Sequence, residues 1–359
     1  MKIGIPKEIK VHEYRVGMTP AAVREAATLG HAVCVETGAG LGIDCTDHDY
    51  LGAGARIASS AEDVYRFAEL IVKVKEPQPE ECRQLGPGQV LFAYLHLAAD
   101  PQQARLLCES GCTAIAYETI TDDRGGLPLL APMSEVAGRM SIQVGAVALQ
   151  RTTGGRGVIL GGVPGTPPAN VVVLGGGVVG TNAARIAAGM GADVTVFDRS
   201  LRRLNTLDEM FGGRVKTQYS TLDAVEKALR QADLVIGAAL LPGAAAPKLV
   251  TRQQLHLLKR GTVLVDVSID QGGCFETSHA TTHADPTYIV EGIVHYCVAN
   301  MPGAVPRSST FALNNATLPF ILALANAGWE RACAADPHLA AGINVHAGQI
   351  AHPAVAAAL

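Results

Sequence analysis

The sequence is short of aromatic residues, of long apolar runs and of any excess of one charge. Phe, Trp and Tyr make up 4% of its 359 residues, with one Trp. Ala, Val and Gly carry the apolar content instead, which suits closely packed α/β layers. No apolar stretch approaches the roughly 18 residues a membrane helix needs. Each is strand-length and ends in Gly, Pro or a charge. With 29 basic and 33 acidic residues the net charge is −4, which gives no electrostatic reason to expect nucleic acid or an anionic membrane as partner. No block of like charges offers an interaction tail. The eight cysteines (Cys34, Cys45, Cys82, Cys108, Cys112, Cys274, Cys297 and Cys333) contain no C-x-x-C pair, and no Cys/His set has zinc-site spacing. Reduced thiols in a cytoplasmic protein are expected. Residues 1–6 read as a first strand and lack the basic, apolar and cleavage regions of a secretory signal. Internal repeats and low-complexity segments are also missing.

What is present points to a well-buried α/β protein of two domains. The length exceeds one ordinary core, and 48% hydrophobic against 17% charged residues exclude a disordered chain. Strand-like runs at 2–6, 31–36, 70–75, 90–96 and 113–117 alternate with helical patterns, one opened by Thr19-Pro20 and closed by Gly30. This alternation predicts a largely parallel sheet. In such sheets ligands bind beyond the carboxyl ends of the strands, where the pattern puts Lys75 and His96. A long helix over 132–150 and a Gly-rich passage over 153–165 follow. A second α/β unit then runs through strands at 170–174, 193–198, 234–237 and 263–267, and the stretch after Pro306 returns to helix, ending near Leu359.

The second unit carries a dinucleotide motif. Gly175-Gly176-Gly177-Val178-Val179-Gly180 fits G-x-G-x-x-G, follows an apolar strand directly and opens an Ala-rich helix. Asp198 ends the next strand, close to the spacing of about 20 residues expected of a ribose-binding acid. Gly175 allows the tight turn, Gly177 lets the backbone approach a pyrophosphate, and Gly180 lets helix and strand pack closely. The helix N-terminus offers unpaired N–H groups and a positive dipole end to phosphate. An acid at 198 repels a 2′-phosphate and so favours NAD, although Arg199, Arg202 and Arg203 stand nearby.

Hydride transfer from an amino or hydroxy acid needs a cation for the carboxylate, best an Arg fork. It also needs an acid/base working near neutral pH, usually His, and a group to steady the charged intermediate. Arg15 lies in a polar loop after the first strand, Lys75 and His96 on strand ends, and Asp270 after the last strong strand of the second unit. Taken singly, each is an ordinary loop or strand-end residue, and Asp270 could simply cap a turn before Gly272-Gly273.

Several runs resemble the alanine dehydrogenases, a family shared with the transhydrogenase alpha subunits. They are Gly4-Ile5-Pro6-Lys7-Glu8 with Arg15 and Thr19-Pro20, Val74-Lys75-Glu76-Pro77, Tyr94-Leu95-His96-Leu97 and Pro132-Met133-Ser134-Glu135-Val136-Ala137-Gly138. Asp266-Val267-Ser268-Ile269-Asp270-Gln271-Gly272-Gly273-Cys274-Phe275-Glu276-Thr277-Ser278 and His295-Tyr296-Cys297-Val298-Ala299-Asn300-Met301-Pro302-Gly303-Ala304-Val305-Pro306 extend the likeness to about residue 345. The resemblance implies two Rossmann-like doubly wound α/β domains with a cleft between them. The substrate domain, 1–129 with 306–359, is completed by C-terminal helices, and 130–305 forms the NAD-binding domain. It implies Arg15 and Lys75 as substrate-binding residues, and His96 as the acid/base with Asp270 as its partner. Contacts to NAD are implied for Ser134, Val178, Asp198, Arg203, Ser220, Ala239, Leu240, Val267, Ser268, Ile269, Asp270, Val298, Ala299, Asn300 and Met301. His279 joins them where the family often has Arg, and Ala245 replaces a frequent Lys. Ala323 and Ala327 stand where some members carry Glu and His near a metal, so no metal is expected there. The implied activity is reversible NAD-dependent oxidative deamination of L-alanine to pyruvate and ammonia by a homohexamer, with no membrane or nucleic-acid partner. Two alternatives stay open: a related amino-acid or opine dehydrogenase, and a transhydrogenase-like NAD(H)-binding module.

Overall fold

A computed structural model describes residues 1–239 and 246–359 of the chain. They divide into two compact units, Met1–Met133 with Gly303–Leu359, and Ser134–Pro302. Among the described residues no helix is long and apolar enough to cross a membrane.

The first unit begins with β1 (Lys2–Ile5), β2 (Ala32–Glu36), β3 (Arg56–Ala58), β4 (Leu70–Val72), β5 (Val90–Ala93) and β6 (Thr113–Ala116). These six are parallel, in the order β3-β2-β1-β4-β5-β6. Their sequences are short continuous apolar runs because helices cover such sheets on both faces; Leu70, Ile71 and Val72 are all fully buried. The helix Ala131–Ala148 leads into the second unit. There β7 (Asn170–Leu174), β8 (Asp193–Asp198), β9 (Lys216–Tyr219), β10 (Leu234–Gly237) and β11 (Val263–Asp266) are followed by the hairpin strands β12 (Thr287–Val290) and β13 (Ile293–Tyr296). The parallel order is β9-β8-β7-β10-β11-β13, with β12 antiparallel on the outer edge. With only the six parallel strands of each unit numbered in chain order, both sheets run 3-2-1-4-5-6, the doubly wound order. Their switch points lie between β1 and β4 and between β7 and β10, where ligands settle in folds of this kind.

The return segment opens with the helix Pro306–Ala327, which is stitched to the first unit by buried polar contacts. The Thr19 N–H and hydroxyl both donate to Asn314 Oδ1, at 2.9 and 2.8 Å, while the Thr19 hydroxyl caps the helix Pro20–Thr28. The segment is not helical throughout. It also contributes β14 (Ile343–His346) and β15 (Gln349–Ile350), with β14 antiparallel to β6 and β15 antiparallel to β14. A four-residue run becomes a strand only through pairing with a partner far away in sequence, which no local pattern announces. Two other strands end earlier than the sequence pattern suggests. β4 stops at Val72 and β5 at Ala93, so Lys75 and His96 sit just past their strands. The Lys73 N–H to Phe92 O and Tyr94 N–H to Val74 O bonds, each 3.1 Å, extend the pairing one step further.

A buried ion cluster joins the ends of β1 and β4. Lys73, 0% exposed, places its Nζ 3.0 Å from Glu8 Oε2 and 2.7 Å from Glu81 Oε1. Burial disfavours the Lys73 charge, but the two carboxylates outweigh it and push its pKa up. Burial likewise pushes the Glu8 carboxyl up, against the pull of Lys73. The Tyr65 hydroxyl donates to Glu81 at 3.2 Å, and the Tyr117 hydroxyl donates to Lys73 O at 2.9 Å. Removing the ammonium strands two carboxylates inside the unit. Lys73→Met is therefore expected to cost about 3–5 kcal/mol, read as a lower urea midpoint. A midpoint equal to the parent's would show that the cluster is not held by charge.

Candidate active site

In the first unit the three candidate substrate groups follow three consecutive strands of the sheet: Arg15 follows β1, Lys75 follows β4 and His96 follows β5. Arg15 is not the solvated loop charge that its sequence context suggests. It is 2% exposed, and Glu13 grips one edge of its fork. Nε donates to Oε1 at 2.7 Å and Nη2 to Oε2 at 2.6 Å, while Nη1 donates to Met133 Sδ at 3.1 Å. Burial opposes the Arg15 charge, yet the hydrogen bonds and charge of Glu13 push its pKa up. A guanidinium fixed in one pose at no further entropic cost suits carboxylate recognition.

Lys75 is oriented through its backbone. Glu8 Oε1 accepts from the Val74 N–H at 2.7 Å and the Lys75 N–H at 3.4 Å, so the carboxylate that neutralises Lys73 also fixes the Lys75 turn. Lys75 Nζ lies 3.8 Å from Glu76 Oε2, and Lys10 pairs with the other oxygen. Burial pushes the Glu76 carboxyl up, but the charges of Lys75, Lys10 and His96 outweigh it and hold it below the usual carboxylate range. Glu76 thus couples electrostatically to two of the three candidates. His96 itself adopts a left-handed backbone, φ 51° and ψ 35°.

In the second unit the candidate cofactor residues collect at the carboxyl ends of all six parallel strands. Gly175 follows β7, Asp198 ends β8, Ser220 follows β9 and Ala239 lies just past β10. Residues 267–270 follow β11, and 298–301 follow β13. Ser134 lies in the first turn of the helix Ala131–Ala148. Leu240 and Ala245 lie outside the described residues. The motif glycines do different work. Gly175 has φ +107°, and a Cβ there would meet Ala238 O at 2.6 Å. At Gly180 a Cβ would fall 1.8 Å from Gly175 O, so only glycine lets helix and loop touch. At Gly177 a Cβ would meet nothing within 4 Å. Gly177 opens the helix Val178–Gly189, whose first turn no side chain caps. Open space beside uncapped N–H groups at a positive helix end fits a diphosphate.

Asp198 and Arg203 brace this loop. Asp198 Oδ2 accepts from the Gly176 N–H at 2.8 Å. Arg203 Nε donates to Gly176 O, and Nη2 donates to Thr181 Oγ1 at 2.5 Å, so Arg203 is engaged with the loop itself. After β11, buried Asp266 accepts from the N–H groups of Ser268 at 3.0 Å and Cys274 at 2.8 Å and from the Ser278 hydroxyl at 2.5 Å. It thereby shapes the turn that exposes Asp270. The His279 ring stacks on Tyr288 with centroids 3.7 Å apart, and its N–H donates to the Tyr288 hydroxyl at 2.9 Å. Asn300, like His96, has positive φ, 60°. Among the described residues no three His, Cys, Asp or Glu side chains gather as metal ligands.

His96 belongs to the first unit and Asp270 to the second. Sequence reading missed Glu8, Glu13, Lys73, Glu118 and Asp266, which hydrogen-bond or pair with the candidate residues or with the turns that carry them. For Glu8, Glu13, Lys73 and Asp266 the one available signal was placement beside or within the same short motifs, such as Glu13 two residues before Arg15; Glu118 lies in none of them.

Two doubly wound sheets, one with a glycine loop, an uncapped helix start and a strand-end acid, define a nucleotide-binding Rossmann protein. Residues 4–137 match the family model described as Alanine dehydrogenase/PNT, N-terminal domain, and residues 141–353 match Alanine dehydrogenase/PNT, C-terminal domain. The chain belongs to this family. It is 60% identical over 358 residues to an alanine dehydrogenase of Halomonas elongata, covering 100% of this chain and 96% of that one. A solved L-alanine dehydrogenase superimposes with a TM-score of 0.97 at 52% identity, covering 100% of this chain and 99% of that one. A transhydrogenase from Sinorhizobium meliloti gives a TM-score of 0.83 at 26% identity, covering 99% of this chain and 100% of that one.

The two glycines make a paired prediction. Gly177→Ala adds a methyl into open space, so the thermal midpoint should stay within the usual scatter of surface changes, about 0.5 kcal/mol, while NADH binding weakens. Gly180→Ala should lower the midpoint as well, by about 1–3 kcal/mol of overpacking. NADH fluorescence titration and thermal unfolding read both. Unchanged NADH affinity in Gly177→Ala would remove the loop from the binding site.

Proposed function

We propose that this chain catalyses the reversible oxidative deamination of L-alanine with NAD and water, giving pyruvate, ammonium, NADH and a proton. The observation that carries the reading is the placement of Arg15, Lys75 and His96 at the ends of three adjacent strands beside the switch point of one unit, in a chain whose other unit holds the dinucleotide loop. The likeness to alanine dehydrogenases along the whole chain supports it.

The first unit serves the substrate. Arg15, kept charged and fixed by Glu13, pairs with the carboxylate of alanine or pyruvate. The Lys75 ammonium donates to the oxygen at C2, stabilising charge that builds there when water adds or leaves. His96 takes the proton from the attacking water and returns it in the reverse direction, and Asp270 is its partner in handling protons. NAD, when bound, supplies the hydride acceptor. Gly175 to Gly180 and the helix start hold its diphosphate, and Asp198 accepts from the adenosine ribose and repels a 2′-phosphate, which favours NAD over NADP. Ser134, Arg203, Ser220, Ala239, His279, the segment 267–270 and the segment 298–301 complete the contacts. The protein is placed in the cytoplasm as a homohexamer, the assembly implied by the family resemblance.

The test is NADH absorbance with purified protein, L-alanine and NAD at alkaline pH, with D-alanine, NADP and substrate-free controls. NADH from L-alanine with NAD alone is expected. His96→Ala should abolish turnover and leave NADH binding nearly intact. Turnover near the parent level in that variant would remove the proton role from His96. No turnover with any amino acid, with NADH binding retained, would favour the transhydrogenase-like module.

A further inference from the structure

We infer that Glu118 is the positioning residue for the His96 imidazole; this rests on the reading of His96 as the acid/base. Glu118 lies in the single turn Tyr117–Thr119 that follows β6, next to the strand end that carries His96. Its Oε1 accepts from the His96 N–H at 2.6 Å and the Leu95 N–H at 3.1 Å, and Oε2 lies 3.3 Å from the Leu95 nitrogen. Those two amides face the carboxylate because His96 is in the left-handed region, a conformation that costs a non-glycine residue about 1–3 kcal/mol. The two charge-assisted bonds are of the size needed to hold it.

The same carboxylate also acts on the ring. Oε1 lies 3.8 Å from His96 Nδ1. A negative oxygen on that side favours the tautomer with its proton on Nδ1, which leaves Nε2 to exchange protons with the substrate. The ring plane is set from its face by Tyr94, parallel within 3° at a centroid distance of 5.8 Å. Tyr94 is itself anchored by donating to Leu129 O at 2.5 Å. Glu118 is held in turn by its neighbours: the Tyr117 hydroxyl donates to Lys73 O, and Asn344 Nδ2 donates to Thr119 Oγ1 at 2.7 Å. With its side chain 16% exposed against 43% for His96, the carboxylate forms the fixed part and the imidazole the working part. The His96 charge also acts on Glu76, whose carboxylate is already paired with Lys10 and Lys75.

Two substitutions separate the charge from the backbone anchor. Glu118→Gln keeps an oxygen for the amides and removes the charge. Its thermal midpoint should stay near the parent's, while kcat falls several-fold and KM for L-alanine changes little, because the charge that favours the working tautomer is lost. Glu118→Ala removes the anchor too, and kcat should fall roughly 100-fold, the scale of a misplaced reacting group, with KM for L-alanine changed far less. NADH affinity, a property of the other unit, should hold in both. A parent-like kcat in either Glu118→Ala or Glu118→Gln overturns the proposal. His96→Ala run alongside separates the two claims. If it is inactive while the Glu118 variants behave like the parent, only the positioning role fails. If it is active, the reading of His96 fails first.

Discussion

Parallel pairing is the constraint on which everything else here depends. Strands that run the same way must all leave the sheet at one edge, and every loop that follows them opens there. In the first unit this puts Arg15, Lys75, His96 and Glu118 on one edge, although the chain spreads them over residues 15–118. In the second it gathers a glycine loop, an acid and four further segments at the ends of six strands. Neither collection exists locally in the sequence; the ladder makes both.

The same pairing creates a problem that the chain solves in one recurrent way. A parallel ladder leaves backbone N–H groups unpaired where the strands stop, and a buried unpaired donor is costly. At four such places a carboxylate from one strand end accepts one or more amides of the neighbouring strand end; one is Glu36 at the end of β2, which receives the Lys7 N–H after β1, and the other three lie beside candidate residues. Glu8 after β1 receives the Val74 and Lys75 N–H groups after β4. Glu118 after β6 receives those of Leu95 and His96 after β5. Asp198 at the end of β8 receives that of Gly176 after β7. Each of these three sits against a residue proposed for substrate, proton or phosphate. A charged acceptor strengthens the bond and brings a negative charge to the cations and the imidazole beside it.

The architecture was legible because its signals are local. Apolar runs of strand length, a glycine motif between strand and helix, and an acid at the next strand end all lie within short windows. β9 was not legible, because Lys216-Thr217-Gln218-Tyr219 is a largely exposed edge strand with no apolar period. β14 and β15 escaped for a different reason: they exist only by pairing with β6 across most of the chain. The residues proposed to react were singled out by type, position and family resemblance. The residues that hold them were not. Glu8 and Glu118 act on backbone amides 66 and 22 positions away, and a carboxylate that binds amides carries no signature distinguishing it from a surface Glu.

Arg15 shows what the difference means for chemistry. In the sequence it is one charge in a polar loop. In the fold it is buried, with one edge of its guanidinium committed to Glu13 and a methionine sulfur on Nη1. A buried cation without such a partner would be strongly destabilising, so Glu13 is what allows a permanent positive charge to stand at this strand end. The arrangement also restricts the fork, since the Nε–Nη2 edge is already engaged. For the carboxylate-binding role proposed for Arg15, the consequence is that a ligand would have to fit the pose that Glu13 and Met133 impose, because the guanidinium is held on one edge and at Nη1.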